Sequence, residues 1–361
     1  MGQCHRRASA PGHQYRADFS PCFRILGAQR AGRTGAAGGG SRCPAHTEGT
    51  AVKLRREVLL LFLLLAEMAL MQSLSPLFLT PDNLIEVVRQ SAEIGLIALA
   101  MTLVIITAGI DLSVGSVVGL SIMTMGMLWE DARLPLWLAV LLALLTGTLL
   151  GGFNGTLITL VGIPPLIVTL ATMAGFRGVA LGMSQARSIR NFPEIFLHLG
   201  QGYALGIPVQ VWILTVAALL FHLALTRTAW GRSVFGIGAN EAAARLSGVP
   251  VNRVKLQVYM LSGFMSALAA VIYAAHVSVA KPDAGLGFEL TAITAVVLGG
   301  TAVSGGEGGV LGTLIALLMV GFLRSGLTLA RVPSEAQDMM VGLLLILVVA
   351  VDRWSRRTGG D

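Results

Sequence analysis

One carboxylate, Asp111, lies between two long apolar stretches, residues 94–106 and 117–128. Two glycines flank it in the run Gly109-Ile110-Asp111-Leu112-Ser113-Val114-Gly115-Ser116. An ionised carboxylate at membrane depth costs a few kcal/mol or more, so it must face protein, water or a cargo path. Backbone that leaves the helix at that depth must be satisfied by protein or by a cavity. The chain is therefore predicted to be a polytopic membrane protein with a break between two helices.

The composition supports a membrane protein and excludes several other classes. Of the 361 residues, 54% are hydrophobic and 12% are charged, with a mean hydropathy of +0.75, whereas soluble domains have about 25% charged residues. Much of the net charge of +7 lies in residues 1–56 and in loops, and basic stripes interleaved with aromatic residues are absent, so no nucleic-acid partner is expected. The three cysteines lie in the first 43 residues without zinc-site spacing, so neither a metal nor a cofactor is expected.

Ten apolar segments approach the length of about 20 residues that a helix needs to cross a bilayer. We therefore predict an all-α membrane fold of about ten transmembrane helices. The predicted spans are 57–74, 90–109, 113–129, 135–157, 161–182, 208–226, 256–276, 288–304, 309–326 and 336–352. Basic residues at positions 53, 55 and 56 precede the first span, which predicts cytoplasmic termini and a cytoplasmic loop at 227–255. Loop 183–207 is then external and is expected to hold a small surface helix.

The N-terminal segment, residues 1–51, is rich in Arg, Gly, Ala and His and has no apolar run long enough for a signal-peptide core. We expect it to be a disordered extension or an over-extended gene start, with translation from Val52. A regulatory or lipid-binding tail is the alternative. The transmembrane domain is predicted to cover residues 52–357.

The run around Asp111 supports two compatible interpretations. Gly109 is expected to end one helix in a left-handed cap, and Asp111 or Ser113 to accept from the backbone N–H groups that open the next helix. Either the run is only a capped helix junction, or these side chains also line the route of a cargo. Asn154 and Thr169, near glycines and prolines elsewhere, are expected to make packing hydrogen bonds or to contact cargo. The candidates for the route are Thr107, Asp111, Ser113, Asn154 and Thr169.

A second constellation lies in the long internal loop. Asn240 is a good N-cap, Glu241 suits the positive end of a helix dipole, and Gly248 can close a helix built on the alanine run between them. We predict a short amphipathic helix on the cytoplasmic surface. Its place in the longest internal loop favours docking to a partner over a mere loop element. The candidate residues for this contact are Asn240, Glu241, Ala242, Ala243, Arg245 and Gly248.

Catalytic motifs are absent from the sequence. There is no G-x-x-x-x-G-K-[ST] phosphate loop, nucleophile elbow, zinc-ligand pair or haem motif. The histidines at 198, 222 and 276 are isolated in the sequence and are expected to be structural. A glycine-rich interruption at 299–306 echoes the run at 109–116, which indicates either paired transport-site breaks or a packing seam.

Three segments together resemble a known family. The run 109–116, the run Asn240–Val249 with Leu261-Ser262-Gly263, and Leu298-Gly299-Gly300-Thr301 with Gly308 and Gly309 resemble permease subunits of sugar-importing ABC transporters of the ribose/xylose/arabinose/galactose type. The resemblance covers roughly residues 57–352. Ala108 stands where this family commonly has a second glycine, a change that a helix would tolerate.

The resemblance implies a permease in the bacterial inner membrane, surrounded by lipid and paired as a homodimer or with a second permease. It would sit on two ATP-binding subunits, or on one fused double ATPase, and receive a monosaccharide from a periplasmic or lipid-anchored sugar-binding protein. The helix at 240–247 would be the coupling helix, seated in a groove of the ATPase. Hydrolysis of ATP would belong to that separate chain, so this chain is expected not to be an enzyme.

The cargo and the class of transporter are left with alternatives. Within the family, rhamnose, a ribose-like pentose or autoinducer-2 is the expected cargo. The alternatives are a permease for branched-chain amino acids or nucleosides, and a secondary carrier or channel. The scarcity of intramembrane carboxylates and the predicted helix in loop 227–255 weigh against a secondary carrier.

Overall fold

The computed structural model describes the backbone of residues 47–358, with side chains described for 57–346 and 349–350. Residues 1–46 of the predicted N-terminal extension lie outside the described residues. Within the described part the chain forms α-helices and one short hairpin, which confirms the all-α fold. The helices are α1 Thr47–Leu74, α2 Pro81–Ile106, α3 Val114–Glu130, α4 Leu136–Thr156 with a π-helical continuation Leu157–Val161, α5 Pro165–Ser184, α6 Glu194–Gln201, α7 Val209–Arg227, α8 Ala229–Ala239, α9 Glu241–Leu246, α10 Val251–Val277, α11 Phe288–Leu298, α12 Val310–Leu329 and α13 Ser334–Thr358. The hairpin pairs β1 Tyr203–Ala204 with β2 Ile207–Pro208.

All ten predicted spans fall on helices. By length and composition, seven of the described helices can cross a membrane: α1, α2, α4 with its continuation, α5, α7, α10 and α12. Two more, α3 and α11, are apolar but shorter. Several predicted boundaries differ from the observed ones, including those of α2 and α11. Helix α2 begins at Pro81 rather than at residue 90, and α11 ends at Leu298 rather than at 304 because Gly300 turns the chain away at φ +90°.

Helices α2 and α10 form the centre of the bundle. The most apolar stretches of α2 and α10 are 89% and 72% buried, whereas those of α4, α5 and α7 are each 28% buried. The contact of α10 with α4 is made through glycines, because a Cβ atom on Gly151 or Gly263 would overlap backbone of the facing helix. Small residues allow such close approach of membrane helices. The outer helices therefore keep wide apolar faces for lipid or for a partner chain.

The bundle has two distinguishable ends. Helices α8 and α9 lie between α7 and α10 at one end, here called the α8–α9 end. The opposite end, here called the α6 end, holds α6 and the hairpin, where Gln201 bonds the carbonyl of His276 in the last turn of α10. Helix α6 confirms the predicted surface helix in loop 183–207, whereas α8 was not predicted.

Candidate functional site

The break at Asp111 is seen between the end of α2 at Ile106 and the start of α3 at Val114; residues 107–113 are called the first break. The left-handed residue is Ala108, at φ +58°, and not Gly109 as predicted. Ala108 therefore lies outside any helix, contrary to expectation. Gly109 is required for space instead, because a Cβ atom there would lie 2.6 Å from the hydroxyl oxygen of Tyr259.

The Asp111 side chain is 2% exposed and joins three parts of the bundle. Its Oδ1 accepts from the backbone N–H of Ser113 at 3.0 Å and from the Ser113 hydroxyl at 2.6 Å. Its Oδ2 accepts from the hydroxyl of Ser262 on α10 at 2.8 Å. Asn154 on α4 donates from Nδ2 to the Ser113 hydroxyl at 2.8 Å. The carboxylate thus accepts the N–H of Ser113, one residue before α3, and the Ser113 side chain does not cap the helix, so the predicted capping of the first N–H groups of α3 is not what the structure has. Together Asp111 and Ser113 tie the first break to α10 and α4.

This network lies inside the bundle and not at its surface. Ser262 follows the start of α10 by eleven residues, which places it about 16 Å from the α8–α9 end at 1.5 Å per residue. Asn154 precedes the end of the π-helical continuation by seven residues, or about 10 Å. A buried carboxylate at such depth marks a functional position by default in membrane proteins.

The structure brings four of the five candidate route residues together and leaves one apart. Thr169 on α5 donates to the carbonyl of Ile110 at 3.1 Å, so it holds the first break beside Asp111, Ser113 and Asn154. The Thr107 hydroxyl donates to the carbonyl of Val104 at 2.8 Å and its backbone N–H donates to the carbonyl of Leu103, so both bonds return to the last turn of α2. Their role in lining a route stays a prediction. Ser262 was not among the candidates, although it lay in a segment used for the family resemblance.

A second helix also begins inside the bundle. The segment 278–287, called the descending segment, runs from the α6 end along α3 and leads into α11. A Cβ atom on Gly115 would overlap the carbonyl oxygen of Gly285 and the carboxylate of Glu289. The N-termini of α3 and α11 therefore meet within the bundle, each with a carboxylate beside it. Paired discontinuous helices of this kind are typical of transport sites.

The glycine-rich interruption between α11 and α12, residues 299–309, is called the second break, and it contacts the first. The N–H of Gly306 donates to the carbonyl of Ile106 at 2.9 Å. Gly238, near the end of α8, packs so closely that a Cβ atom there would overlap both groups. The surface helix α8 and the two breaks therefore form one contact, through which a movement of α8 would reach the buried network.

Helix α9 has the form that was predicted for it. The side chain of Asn240 accepts from the backbone N–H of Ala243 at 2.9 Å, and Gly248 has φ +81°. Ala244 is buried, while Ala242, Ala243 and Arg245 are exposed and the Leu246 side chain is 91% exposed. A short helix that presents an apolar residue and two alanines to its surroundings is suited to insertion into another protein.

Glu241 fixes α9 to the start of α10. Its carboxylate pairs with Arg245 at 2.9 Å and with the Lys255 ammonium at 2.5 Å. The hydrogen bond from Lys255 lowers the pKa of Glu241 below its usual value, so the carboxylate is ionised at neutral pH. The pair is partly exposed and worth little in stability, but it holds α9 in one orientation.

The chain is similar in sequence to permease subunits of importers along most of its length. Residues 83–349 match the family described as branched-chain amino acid transport system / permease component. The ribose import permease protein RbsC of Haemophilus influenzae is 39% identical over 290 residues, 79% of this chain and 90% of its own. RbsC of Bacillus subtilis is 42% identical over 283 residues, 78% and 87% of the two chains. The autoinducer 2 import system permease protein LsrD of Salmonella paratyphi B is 40% identical over 299 residues, 81% and 90%. No solved structure matches the chain.

Proposed function

Because this chain belongs to the permease-component family of branched-chain amino acid transport systems, in its sugar-importing ABC branch, we propose that it forms the membrane path of an ATP-driven monosaccharide importer. The observation that carries the proposal is the contact of α8 with both breaks. This contact connects the surface helices α8 and α9, which are suited to a partner, with the buried polar network around Asp111.

The proposed cargo is a ribose-like pentose or autoinducer-2, because the relatives at 39–42% identity are permeases for ribose and for autoinducer 2. Rhamnose, the other expectation, is named by none of the relatives described above. Branched-chain amino acids remain the alternative that the family description suggests. A secondary carrier is disfavoured because it has no use for the exposed helix α9.

The proposed partners follow from the two ends of the bundle and from one lateral face. The α8–α9 end carries the basic residues of loop 227–255, which are Arg227, Arg232, Arg245, Arg253 and Lys255. This is expected of a cytoplasmic surface, which would dock an ATPase subunit through α9. The α6 end would then receive a sugar-binding protein. On α5, a Cβ atom added to the glycine at 175, 178 or 182 would have no atom within 4 Å, and exposed apolar side chains lie beside these glycines. Such a face suits close packing against a second permease.

The proposed mechanism uses the contact of α8 with the breaks. Closure of the ATPase subunits would move α9 and α8 as one unit, and Gly238 would displace the first and second breaks together. The hydrogen bonds of Asp111 and Ser113 would hold the first break, α4 and α10 in register while the path is closed at this end. Separation of these helices would expose Asp111, Ser113 and Thr169 to the cargo, and Asn154 would move with α4.

The proposal is tested by purification of this chain from native membranes followed by mass spectrometry. We expect a phosphate-loop ATPase and a sugar-binding protein to co-purify, and the complex in liposomes to take up ribose or autoinducer-2 only with ATP. Recovery of this chain alone, with ATP-independent uptake, would identify a secondary carrier. ATP-dependent uptake of leucine but of no sugar would identify an amino-acid permease.

A further inference from the structure

A cavity of about 470 Å³ lies at the α6 end, apart from the Asp111 network. Its walls are the first half of α2, the last turn of α10, the first turn of α11 and the second half of α12, with Gln337 of α13 at one edge. The volume falls in the range of about 300–1,000 Å³ that is usual for small-molecule sites. Because the α6 end is proposed to receive the sugar-binding protein, a cargo would arrive at this cavity before it reaches the first break.

Two carboxylates and a histidine line one wall. The Glu93 side chain is 5% exposed, and its Oε1 lies 2.7 Å from Nδ1 of His276. Nε2 of His276 lies 3.5 Å from Oε1 of Glu86, whose side chain is 44% exposed. The polar groups thus continue from the rim of the cavity to its buried side. Ionisable side chains buried in spanning helices are costly and are retained chiefly for function.

The opposite wall supplies hydrogen-bond donors. Arg324 on α12 donates from Nη2 to the hydroxyl of Thr291 at 3.1 Å and to Asp338 at 3.0 Å. Its Nε is buried and has no hydrogen-bond partner among the described residues. An arginine offers five N–H donors, so one wall of the cavity presents donors and the other presents acceptors.

Aromatic side chains complete the site. The rings of Tyr273 and Phe288, which line the cavity, lie edge to face with their centroids 5.9 Å apart. A sugar presents hydroxyl groups around its edge and an apolar C–H face, so carboxylates, an arginine and aromatic rings suit it together. A metal ion is a poorer candidate, because the described residues include no group of three or more His, Cys, Asp or Glu arranged to hold one.

We propose that this cavity is a sugar-binding site of the permease itself, in which Glu93 and His276 accept and donate hydrogen bonds to the hydroxyl groups of one monosaccharide. The proposal rests on the proposed function as a sugar importer. It adds a selective step in the membrane subunit, after release from the binding protein and before passage through the first break. His276 connects the two carboxylates, so its loss would affect both.

The test uses the complete importer in liposomes, with ribose as the probe, and four proteins: wild type, Glu93→Gln, His276→Gln and the control His222→Gln. His222 lies on α7, outside the cavity, and is also in a spanning helix. We expect the apparent KM for ribose delivered by the binding protein to rise about tenfold or more in both cavity variants, as loss of a hydrogen bond to a charged group predicts. ATP hydrolysis stimulated by the unliganded binding protein should be unchanged, and His222→Gln should match wild type.

The outcomes separate the two proposals. If wild type transports ribose and both cavity variants keep its KM and rate, the cavity is not a sugar site although the importer function stands. If the cavity variants lose binding-protein-stimulated ATP hydrolysis together with transport, the residues are structural and the site proposal is wrong. If wild type transports no sugar, the proposed function fails and this proposal fails with it. Should one variant not assemble, the other decides.

Discussion

The contact between α8 and the two breaks is testable with two glycines of one helix. Gly238 and Gly236 both lie in α8, two residues apart. A Cβ atom on Gly238 would overlap the carbonyl oxygen of Ile106 and the amide nitrogen of Gly306, whereas one on Gly236 would have no atom within 4 Å. Gly238→Ala should therefore disturb the contact, and Gly236→Ala is its matched control.

The expected change in the free energy of unfolding has three contributions. Because the overlapping atoms are backbone, no side-chain rotation relieves the overlap. The added Cβ would overlap the carbonyl oxygen of Ile106, so the segments must move apart, at an overpacking cost of about 1–3 kcal/mol. The separation also weakens the hydrogen bond from Gly306 to Ile106, worth about 1 kcal/mol. Against these losses, alanine stabilises a helix relative to glycine by up to about 1 kcal/mol. Gly238→Ala should thus lower the free energy of unfolding by about 2 kcal/mol. Gly236→Ala should leave it unchanged or raise it by up to about 1 kcal/mol.

Thermal unfolding of the purified importer and the ratio of sugar transported to ATP hydrolysed are the two measurements. We expect Gly238→Ala to unfold at a lower temperature than wild type and to transport less sugar per ATP. Gly236→Ala should unfold at or above the wild-type temperature with an unchanged ratio. If both variants behave alike in both measurements, α8 does not press on the breaks and the proposed transmission is wrong.

Three further results are expected. Glu241→Arg or Ala243→Trp should leave the permease correctly inserted, because the change is confined to the docking helix α9. The ATPase subunits of the importer should then hydrolyse ATP without transport of sugar. Failure of the permease to insert would show instead that α9 is structural. Asp111→Ala should abolish uptake while the complex still assembles, and uptake at the wild-type rate would remove Asp111 from the route. Ser113→Ala deletes hydrogen bonds in the buried network and should lower the free energy of unfolding by about 1–3 kcal/mol. The control Ser121→Ala should lower it by less than about 0.5 kcal/mol, because the buried Ser121 hydroxyl has no partner among the described residues. Equal losses would contradict this assignment.

The helices were predictable where long apolar runs meet the length of the bilayer. Residues 81–89 of α2 were missed because polar side chains such as Glu86 and Arg89 interrupt the apolar run, although Arg89 is buried against protein. Hydropathy alone does not distinguish a polar residue that faces water from one that faces a neighbouring helix. Helix α8 was missed for a different reason, since its glycines disfavour a helix and tertiary contacts stabilise it.

The site was predictable only where its parts are close in the chain. Asp111 and Ser113 stand two residues apart and were identified together, whereas Ser262, the third member of the network, lies 151 residues from Asp111. His276 looks isolated in the sequence because its partner Glu93 is 183 residues away. A single sequence carries no information on such pairings, so the cavity at the α6 end was not predicted.

The short helix α11 has a consequence for how the chain enters the membrane during synthesis. Its eleven residues span about 16 Å, half of a hydrocarbon core of about 30 Å, so it does not cross on its own. The descending segment completes the crossing, and its carbonyl groups at Pro282 and Ala284 accept from Arg177 of α5. Since irregular backbone in lipid must be satisfied by protein, this crossing becomes stable only after α5 is already in place. Biogenesis should therefore proceed in an obligatory order, with the chain from residue 278 onward inserting onto a completed first half.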